Sequence, residues 1–451
     1  MNKTITILLL LCFSGKIFSQ QINSEPCGQV GVLDALEKQY PGFKANYEKQ
    51  YLQQVHPKIV ANRKIETKDT FYTYDTTYFV HVVFHVLYNV ASENISDALI
   101  MSQFDAINQC FRRQNADTTN TRSIFKKRAG DTRIQFVLPT VDPNGAPTNG
   151  IIHKYTSKTS FESSQYADEM KRSSAGGNDP WDPTKYLNIW VCNMRYFGQE
   201  GLLGYAFPPY GQPNWPSANW VADNRQGVVL FYKIVGVNNP LATAAFASSA
   251  NGRTAVHEVG HYLGLRHIWG DAVNANRCFV DDYIDDTPVQ GYKSNFDCNQ
   301  SQNSCNTGNE DEPDMVENYM DYSSNFCQNM FTKHQVNVMR KGITEFRTNL
   351  PFKTKLDTIM HVFDTVVYNE FKFYVTDKQR IYFELKNADL LDQLLVDIYD
   401  MTGNKIISDF QLSKNENFIS TAKLATATYV VRVKTNQNKL IEKRLVFITK
   451  N

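Results

Sequence analysis

Three of the nine histidines of this 451-residue chain, His257, His261 and His267, fall within one short stretch, and Glu258 sits beside the first of them. Ala255 to Leu263 reads as a helix: it has no proline, and Ala, Glu and Leu favour that state. Residues four apart share a helix face, so the rings of His257 and His261 lie roughly 5–6 Å from each other and can grip one small cation. Gly264 can take a positive φ and end the helix. The chain then bends back, and His267 can supply a third nitrogen. Neutral imidazole suits zinc, and a three-ligand zinc site leaves a position for water. Glu258 cannot share the face of the two histidines, but it can lie beside the open position and take a proton from that water. The chemistry implied is hydrolysis by an activated water. At ordinary residue frequencies the full pattern arises by chance on the order of once in a hundred thousand chains of this length, so the reading of unrelated surface or core histidines is set aside.

A second signature follows about fifty residues on, in Glu317-Asn318-Tyr319-Met320-Asp321-Tyr322. Taken with the HExxHxxGxxH pattern, it resembles the metzincin zinc endopeptidases. Further matches lie in Val82-Val83-Phe84-His85-Val86-Leu87-Tyr88-Asn89, in Tyr186-Leu187-Asn188-Ile189-Trp190-Val191, in His267-Ile268-Trp269-Gly270-Asp271 and in Phe331-Thr332. With these the resemblance narrows to the pappalysin (ulilysin-like) family and covers roughly residues 25–345. It implies an α+β catalytic domain with a twisted sheet, a long active-site helix and a Met-turn in the lower half. It also implies that His257, His261 and His267 ligate zinc, that Glu258 activates the zinc-bound water for attack on a scissile peptide carbonyl, and that Met320 is the floor of the site. Tyr322 would donate to the developing oxyanion. Without the resemblance, Met320 reads as ordinary core packing. The competing function is a catalytically silent binding or adhesion protein on the same scaffold. Such proteins usually lose the glutamate or a ligand, and here all four residues remain.

The elements that would position this site start near the N-terminus. Lys3, the apolar run Ile5 to Phe13 and Phe18-Ser19-Gln20 read as a secretory signal over residues 1–20. Residues 21–63 read as a helical propeptide, with stripes of Leu33, Leu36 and Tyr40 and then of Phe43, Tyr47 and Tyr51. Cys27, in Pro26-Cys27-Gly28, resembles the cysteine switch of the family: a thiolate is a strong zinc ligand and would displace the water. The protein is thus expected as a latent zymogen, cut near Arg63 or Lys64. A free thiol, or a disulfide with Cys110 or Cys192, is the alternative for Cys27.

Residues 64–350 read as the catalytic domain. A strand from Tyr78 to Leu87 holds His81 and His85 on one face but roughly 13 Å apart, too far to share a metal, so both read as structural. A helix from Asp97 to Arg112 and strands at Ile134–Leu138 and Leu187–Val191 follow. Leu202, Leu203, Gly204 and Tyr205 resemble the edge strand that pairs with an extended peptide substrate. Cys278, Cys298, Cys305 and Cys327 allow three pairings; the resemblance suggests Cys278 with Cys305 and Cys298 with Cys327. Cys110 and Cys192 read as buried thiols, with a third disulfide as the alternative. The carboxylate-dense loop holding Asp281, Asp282, Asp285, Asp286 and Thr287 suits calcium, which the family binds near here, with Asp281, Asp285, Asp286 and Thr287 as the candidate ligands; a solvated acidic loop is the plain alternative. Ser323-Ser324-Asn325-Phe326 carries no acid, unlike the family's usual sequence, which argues against a strict preference for arginine or lysine.

From 351 to 451 short alternating strands, Phe371–Val375, Arg380–Leu385, Leu394–Tyr399, Thr428–Val433 and Lys443–Ile448, suggest a β-sandwich. Val396-Asp397-Ile398-Tyr399-Asp400-Met401-Thr402-Gly403 and Leu424 to Val431 resemble the C-terminal sorting domain of the type IX secretion system. Secretion through the periplasm to the exterior or cell surface is the expected localisation, with the secretion machinery and peptide or protein substrates as partners. A formal net charge of +1 speaks against a nucleic-acid partner. No apolar run after the leader reaches the roughly eighteen residues of a spanning helix.

Overall fold

The apolar run beginning at Tyr78 becomes the central strand of the computed structural model, which describes residues 26–55, 74, 76–164, 166, 168–210, 222–271, 277–308, 311–351, 372–376, 380–385, 388–400, 404–435 and 440–448. The leader and the Arg63–Lys64 cut lie outside the described residues. The chain divides into two compact units, Met1–Phe352 and Lys353–Asn451.

In the first unit, helices α1 (Gln29–Gln39) and α2 (Phe43–Val55) precede strand β1 (Tyr78–Tyr88). Then come helix α3 (Asp97–Phe111), strands β2 (Ile134–Val137), β3 (Ile151–Tyr155), β4 (Tyr186–Cys192), β5 (Gly204–Ala206) and β6 (Val228–Phe231), and helices α4 (Arg253–Tyr262) and α5 (Lys333–Lys341). The sheet order is β2-β1-β4-β6-β5, with β3 also on β1. All pairings are parallel except that of β5 with β6. A strand covered on both faces needs a nearly unbroken apolar sequence, and Val82 to Leu87 is buried throughout.

The one ionisable group in that stretch is accommodated as a neutral ring. His85 donates from Nε2 to Asn188 Oδ1 at 3.0 Å and accepts from Asn178 Nδ2 at 2.8 Å, and it stacks on Trp190. Burial pushes it down to about 4, against the partial support of Asn188. His85 is therefore structural, and His81 stacks on Tyr186 at 5.6 Å.

Helices α1 and α2 share the core of the catalytic unit. Val32, Leu36, Phe43, Tyr47 and Tyr51 are buried within one continuous apolar cluster with the sheet and α4. On α1 the buried stripe is Val32 and Leu36 (Leu33 is only partly covered), one position from the expected phase. Burying a side chain such as Phe43 contributes about 2 kcal/mol. Helix α5 starts with a capping box in which Thr332 and Gln335 satisfy each other's backbone N–H groups. Cys110 and Cys192 are buried free thiols. Among the described residues no helix is long and apolar enough to cross a membrane.

The second unit has two antiparallel sheets. One joins 372–376, 380–384 and 418–420; the other runs in the order 405–411, 394–399, 427–435, 440–448. Phe383, Leu394, Val396, Ile398, Val431 and Val433 form its core. The strands Lys405–Gln411 and Phe418–Ser420 were not expected. The first is an edge strand whose side chains are mostly exposed, so it carries no apolar alternation to reveal it.

Candidate metal centre and active site

Helix α4 lies wholly inside the molecule, with every residue from Arg253 to Tyr262 buried. Gly264 takes φ +107° and ends it, and Leu265 N–H returns to Gly260 O at 2.9 Å. This tight exit brings His267 back to the two helix histidines. Their Nε2 atoms approach one another at 3.1 Å for His261–His257, 3.1 Å for His261–His267 and 3.3 Å for His257–His267. The Nδ1 atoms face acceptors only: Tyr319 O at 2.7 Å from His257, Leu265 O at 2.8 Å from His261 and Asp271 Oδ1 at 2.6 Å from His267. Each Nδ1 must therefore carry the proton, which leaves three lone pairs pointed at one spot. Burial keeps the two helix rings neutral, holding His257 down at about 3 and His261 well below the usual range. Convergent lone pairs with no donor between them could hold a cation. Neutral nitrogens at tetrahedral spacing suit zinc.

Cys27 completes the group. Its Sγ and the three histidine nitrogens all lie within 4.8 Å of one another. Burial and the Glu258 carboxylate push the thiol well above its ordinary range, so only a bound cation would hold it as thiolate. Sγ donates to Glu258 Oε2 at 3.6 Å, while Glu258 Oε1 is buried without a partner. Burial pushes the Glu258 carboxyl up to about 8, and the Cys27 contact opposes this.

The turn through Met320 forms beneath the site. Asn318 Oδ1 accepts the Met320 N–H at 2.9 Å, and Tyr319 N–H donates to Met330 O at 3.0 Å. A Cβ on Gly260 would stand 2.6 Å from the Met320 sulfur, so the glycine inside the helix motif lets the methionine seat against it. The Tyr322 ring lies 4.9 Å from His267 and 5.7 Å from His257, and its hydroxyl donates to Cys27 O at 3.4 Å.

The edge strand is covered by the pro-segment. Gly28 N–H donates to Gly204 O at 2.8 Å and Leu203 N–H to Pro26 O at 2.9 Å, a parallel pairing. Leu203 and Gly204 thus offer backbone to an extended chain, while Leu202 is buried beside them. The Tyr205 hydroxyl instead turns into the interior and donates to buried Asp168 at 2.9 Å. A Cβ on Gly204 would lie 2.8 Å from Glu258 Cγ, so this glycine makes room for the carboxylate.

Helix α2 packs on the far side of the ligand loop. Arg266 lies over the Tyr51 ring at 3.8 Å and the Tyr47 ring at 4.9 Å and pairs with Glu48 at 2.5 Å. Tyr51 donates to Asp282 O, and Tyr210 donates to Gln54 Oε1 at 2.9 Å.

The acidic loop is less converged. Asp281 accepts from Tyr283 N–H, and Asp282 from Ile284 N–H and the Thr287 hydroxyl. Asp286 accepts from His334 N–H at the start of α5. Asp282 Oδ2 and Asp286 Oδ1 are buried without partners. Asp281, Asp285, Asp286 and Thr287 are not gathered as the histidines are: among the described residues only Cys27 and the three histidines bring three or more ligand atoms together. Cys278 is bonded to Cys305 and Cys298 to Cys327, the pairing the resemblance suggested. Three contributors carried no role in the sequence reading: Gly260, the glycine contact of Gly204 with Glu258, and Asp271. Asp271 enters there only as the last residue of the matched run His267-Ile268-Trp269-Gly270-Asp271, with no role attached.

Residues 171–344 match the sequence family described as pregnancy-associated plasma protein-A, and residues 375–447 match the secretion system C-terminal sorting domain. An extracellular metalloprotease of Arthroderma otae is 41% identical over 221 residues, covering 48% of this chain and 72% of that protein. One from Arthroderma benhamiae is 29% identical over 208 residues; the match spans 44% of this chain and 64% of the relative's length. Among solved structures, mirolysin in complex with a compound is 41% identical and covers 62% of this chain and 97% of its own, with a TM-score of 0.54. A promirolysin mutant of Tannerella forsythia is 36% identical and covers 72% of this chain and 96% of its own, with a TM-score of 0.57.

Proposed function

The chain belongs to the pappalysin family, that of pregnancy-associated plasma protein-A, and from this premise we propose that it is a secreted zinc endopeptidase held latent by its own pro-segment. The observation that carries this reading is the meeting of three lone-pair-bearing histidine nitrogens beside a buried Glu258 oxygen with no partner.

His257, His261 and His267 would hold zinc, with Cys27 as fourth ligand in the latent form. Zinc, when bound, supplies Lewis acidity and lowers the pKa of water toward neutrality. Glu258 Oε1 would accept the proton of the nucleophilic water and later return it to the departing amine nitrogen. A carboxyl pushed toward operating pH is suited to both steps. Tyr322 would donate its hydroxyl to the carbonyl oxygen as charge develops there; its present partner, Cys27 O, is also a peptide carbonyl. Leu203 and Gly204 would pair with the substrate backbone once Pro26 to Gly28 have left. Glu258→Gln keeps the shape and removes the base. It should abolish peptide hydrolysis by orders of magnitude while zinc content and melting temperature stay at the parental values. A Glu258→Gln protein that still cuts would end this reading.

Maturation requires a cut beyond α2. The chain is held again at Tyr74, whose hydroxyl donates to Asn337 at 2.8 Å, and at Thr76, whose carbonyl accepts from Arg340. Arg63 and Lys64 fall between these anchors and remain the proposed site, which N-terminal sequencing of the mature protein reads directly. Calcium is proposed at the acidic loop, supported by the two buried, unpartnered oxygens of Asp282 and Asp286. Added calcium should raise the melting temperature of zinc-loaded protein; no shift at millimolar calcium would count against it. The sorting-domain match gives the C-terminal unit its proposed role, engagement of the secretion machinery, and the mature enzyme would meet its peptide substrates outside the cell.

A further inference from the structure

The three histidines of the centre are not held alike. His257 and His261 donate from Nδ1 to main-chain carbonyls, whereas His267 donates to a carboxylate, Asp271 Oδ1, at 2.6 Å. His267 is also the one histidine of the three outside helix α4, so no helical geometry fixes its ring. It needs other supports, and two are present. The Trp269 ring stacks on it at 4.3 Å with planes 7° apart, and Asp271 fixes its rotation about the stack.

The backbone is bent for this purpose. Gly270 has φ +66° and Asp271 has φ +57°, two successive left-handed residues. Left-handed backbone is costly for a residue with a Cβ and persists where its surroundings hold it. Here a Cβ on Gly270 would stand 2.5 Å from Asp281 O, so the turn is pressed against the main chain of the acidic loop. The Asp271 side chain is about a quarter exposed, at 28%, while His267 is fully buried. The carboxylate therefore reaches from the rim of the turn to a fully buried ring.

We propose that Asp271 is a positioning residue for the metal centre: its carboxylate fixes the tautomer and rotation of His267 and places a negative charge one hydrogen bond behind that ligand. Outer partners of this kind are worth about 10–100-fold in metal affinity. This inference rests on the proposed zinc site.

The test compares Asp271→Asn and Asp271→Ala with the parent in the full chain, where Cys27 is the same in all three. Zinc dissociation is read by competition with a chromogenic chelator, and the ligand field by the visible absorption of the cobalt-substituted protein. Asn keeps an acceptor for His267 Nδ1 and loses only the charge; Ala loses both. Zinc affinity should fall about 10–100-fold in Asp271→Ala and by less in Asp271→Asn. The cobalt band of the Ala variant should shift, and the metal-free melting temperatures should stay together. Should the Ala variant not fold, the isosteric Asn variant decides alone. Zinc affinity within threefold of the parent and an unchanged cobalt spectrum would overturn the proposal. A parent protein that binds no zinc would instead overturn the reading on which it rests.

Discussion

Single residues carry the proposed switch between latency and activity. Cys27 brings sulfur to the metal group, its carbonyl occupies Tyr322, and its thiol touches Glu258. A serine hydroxyl has nearly the same size and is a far weaker zinc ligand. Cys27→Ser should therefore release peptide hydrolysis in the uncut protein, assayed on a fluorogenic peptide against the matured form. Full latency of the intact variant would mean that the thiol is not the block. The chemistry-bearing residues were the most legible part of the sequence. A ligand set drawn mostly from one helix must obey its fourfold spacing, and a glycine has to stand where the chain turns back. Asp271 was not legible, because its role comes from two left-handed residues that no periodicity announces. Gly204 reads in sequence as one more small strand residue; only the structure shows Glu258 filling the space a side chain would need.

At the scale of elements, the pro-segment is held by more than its cysteine. Helix α2 inserts Tyr51 between Arg266 and the Asp282 carbonyl, and the ring is fully buried. Tyr51→Ala should cost the docked helix about 3 kcal/mol or more. The expected outcome is faster cleavage of the segment 26–55 in limited proteolysis of the zymogen. The mature enzyme should be untouched, since the proposed cut near Arg63 would remove Tyr51 with the pro-segment. An unchanged cleavage rate would show that α2 is a passenger. Both pro-segment helices were legible from their aromatic and aliphatic spacing, although on α1 the buried face is centred on Val32 rather than Leu33. Their destination was not, because Tyr47 and Tyr51 meet Arg266, more than two hundred residues away, and no local pattern encodes that meeting. The strand at Lys405–Gln411 was missed for the opposite reason: it sits at an edge, and its pairing is made by backbone.

For the whole molecule, His85 ties stability to pH. Its Nδ1 faces an amide donor, so the folded state refuses a proton that the unfolded chain accepts below about pH 6.5. The folded value is about 4. Between these two values the unfolded state binds more protons, so stability rises with pH. The full contribution is present above about pH 6.5, and on the order of 3 kcal/mol is lost as pH falls to about 4. Urea midpoints at pH 7 and pH 5 measure the loss, and His85→Gln should flatten it. An equal loss in that variant would assign the effect elsewhere. The α+β core with its helical pro-segment and the separate strand-rich unit were both legible as a change of hydrophobic period near residue 351. The parallel order of the main sheet was not, since β2 and β3 divide the length of β1 between them.

The two disulfides interleave: the ring closed by Cys298 and Cys327 begins inside the one closed by Cys278 and Cys305. Together they staple the stretch leading into the Met-turn, and closing loops of this length limits the unfolded chain by on the order of 3–4 kcal/mol each. A reducing cytosol withholds both staples. The newly made polypeptide would thus travel with its catalytic floor unfinished and complete it only on meeting an oxidant, a form of safekeeping that depends on address rather than on any inhibitor.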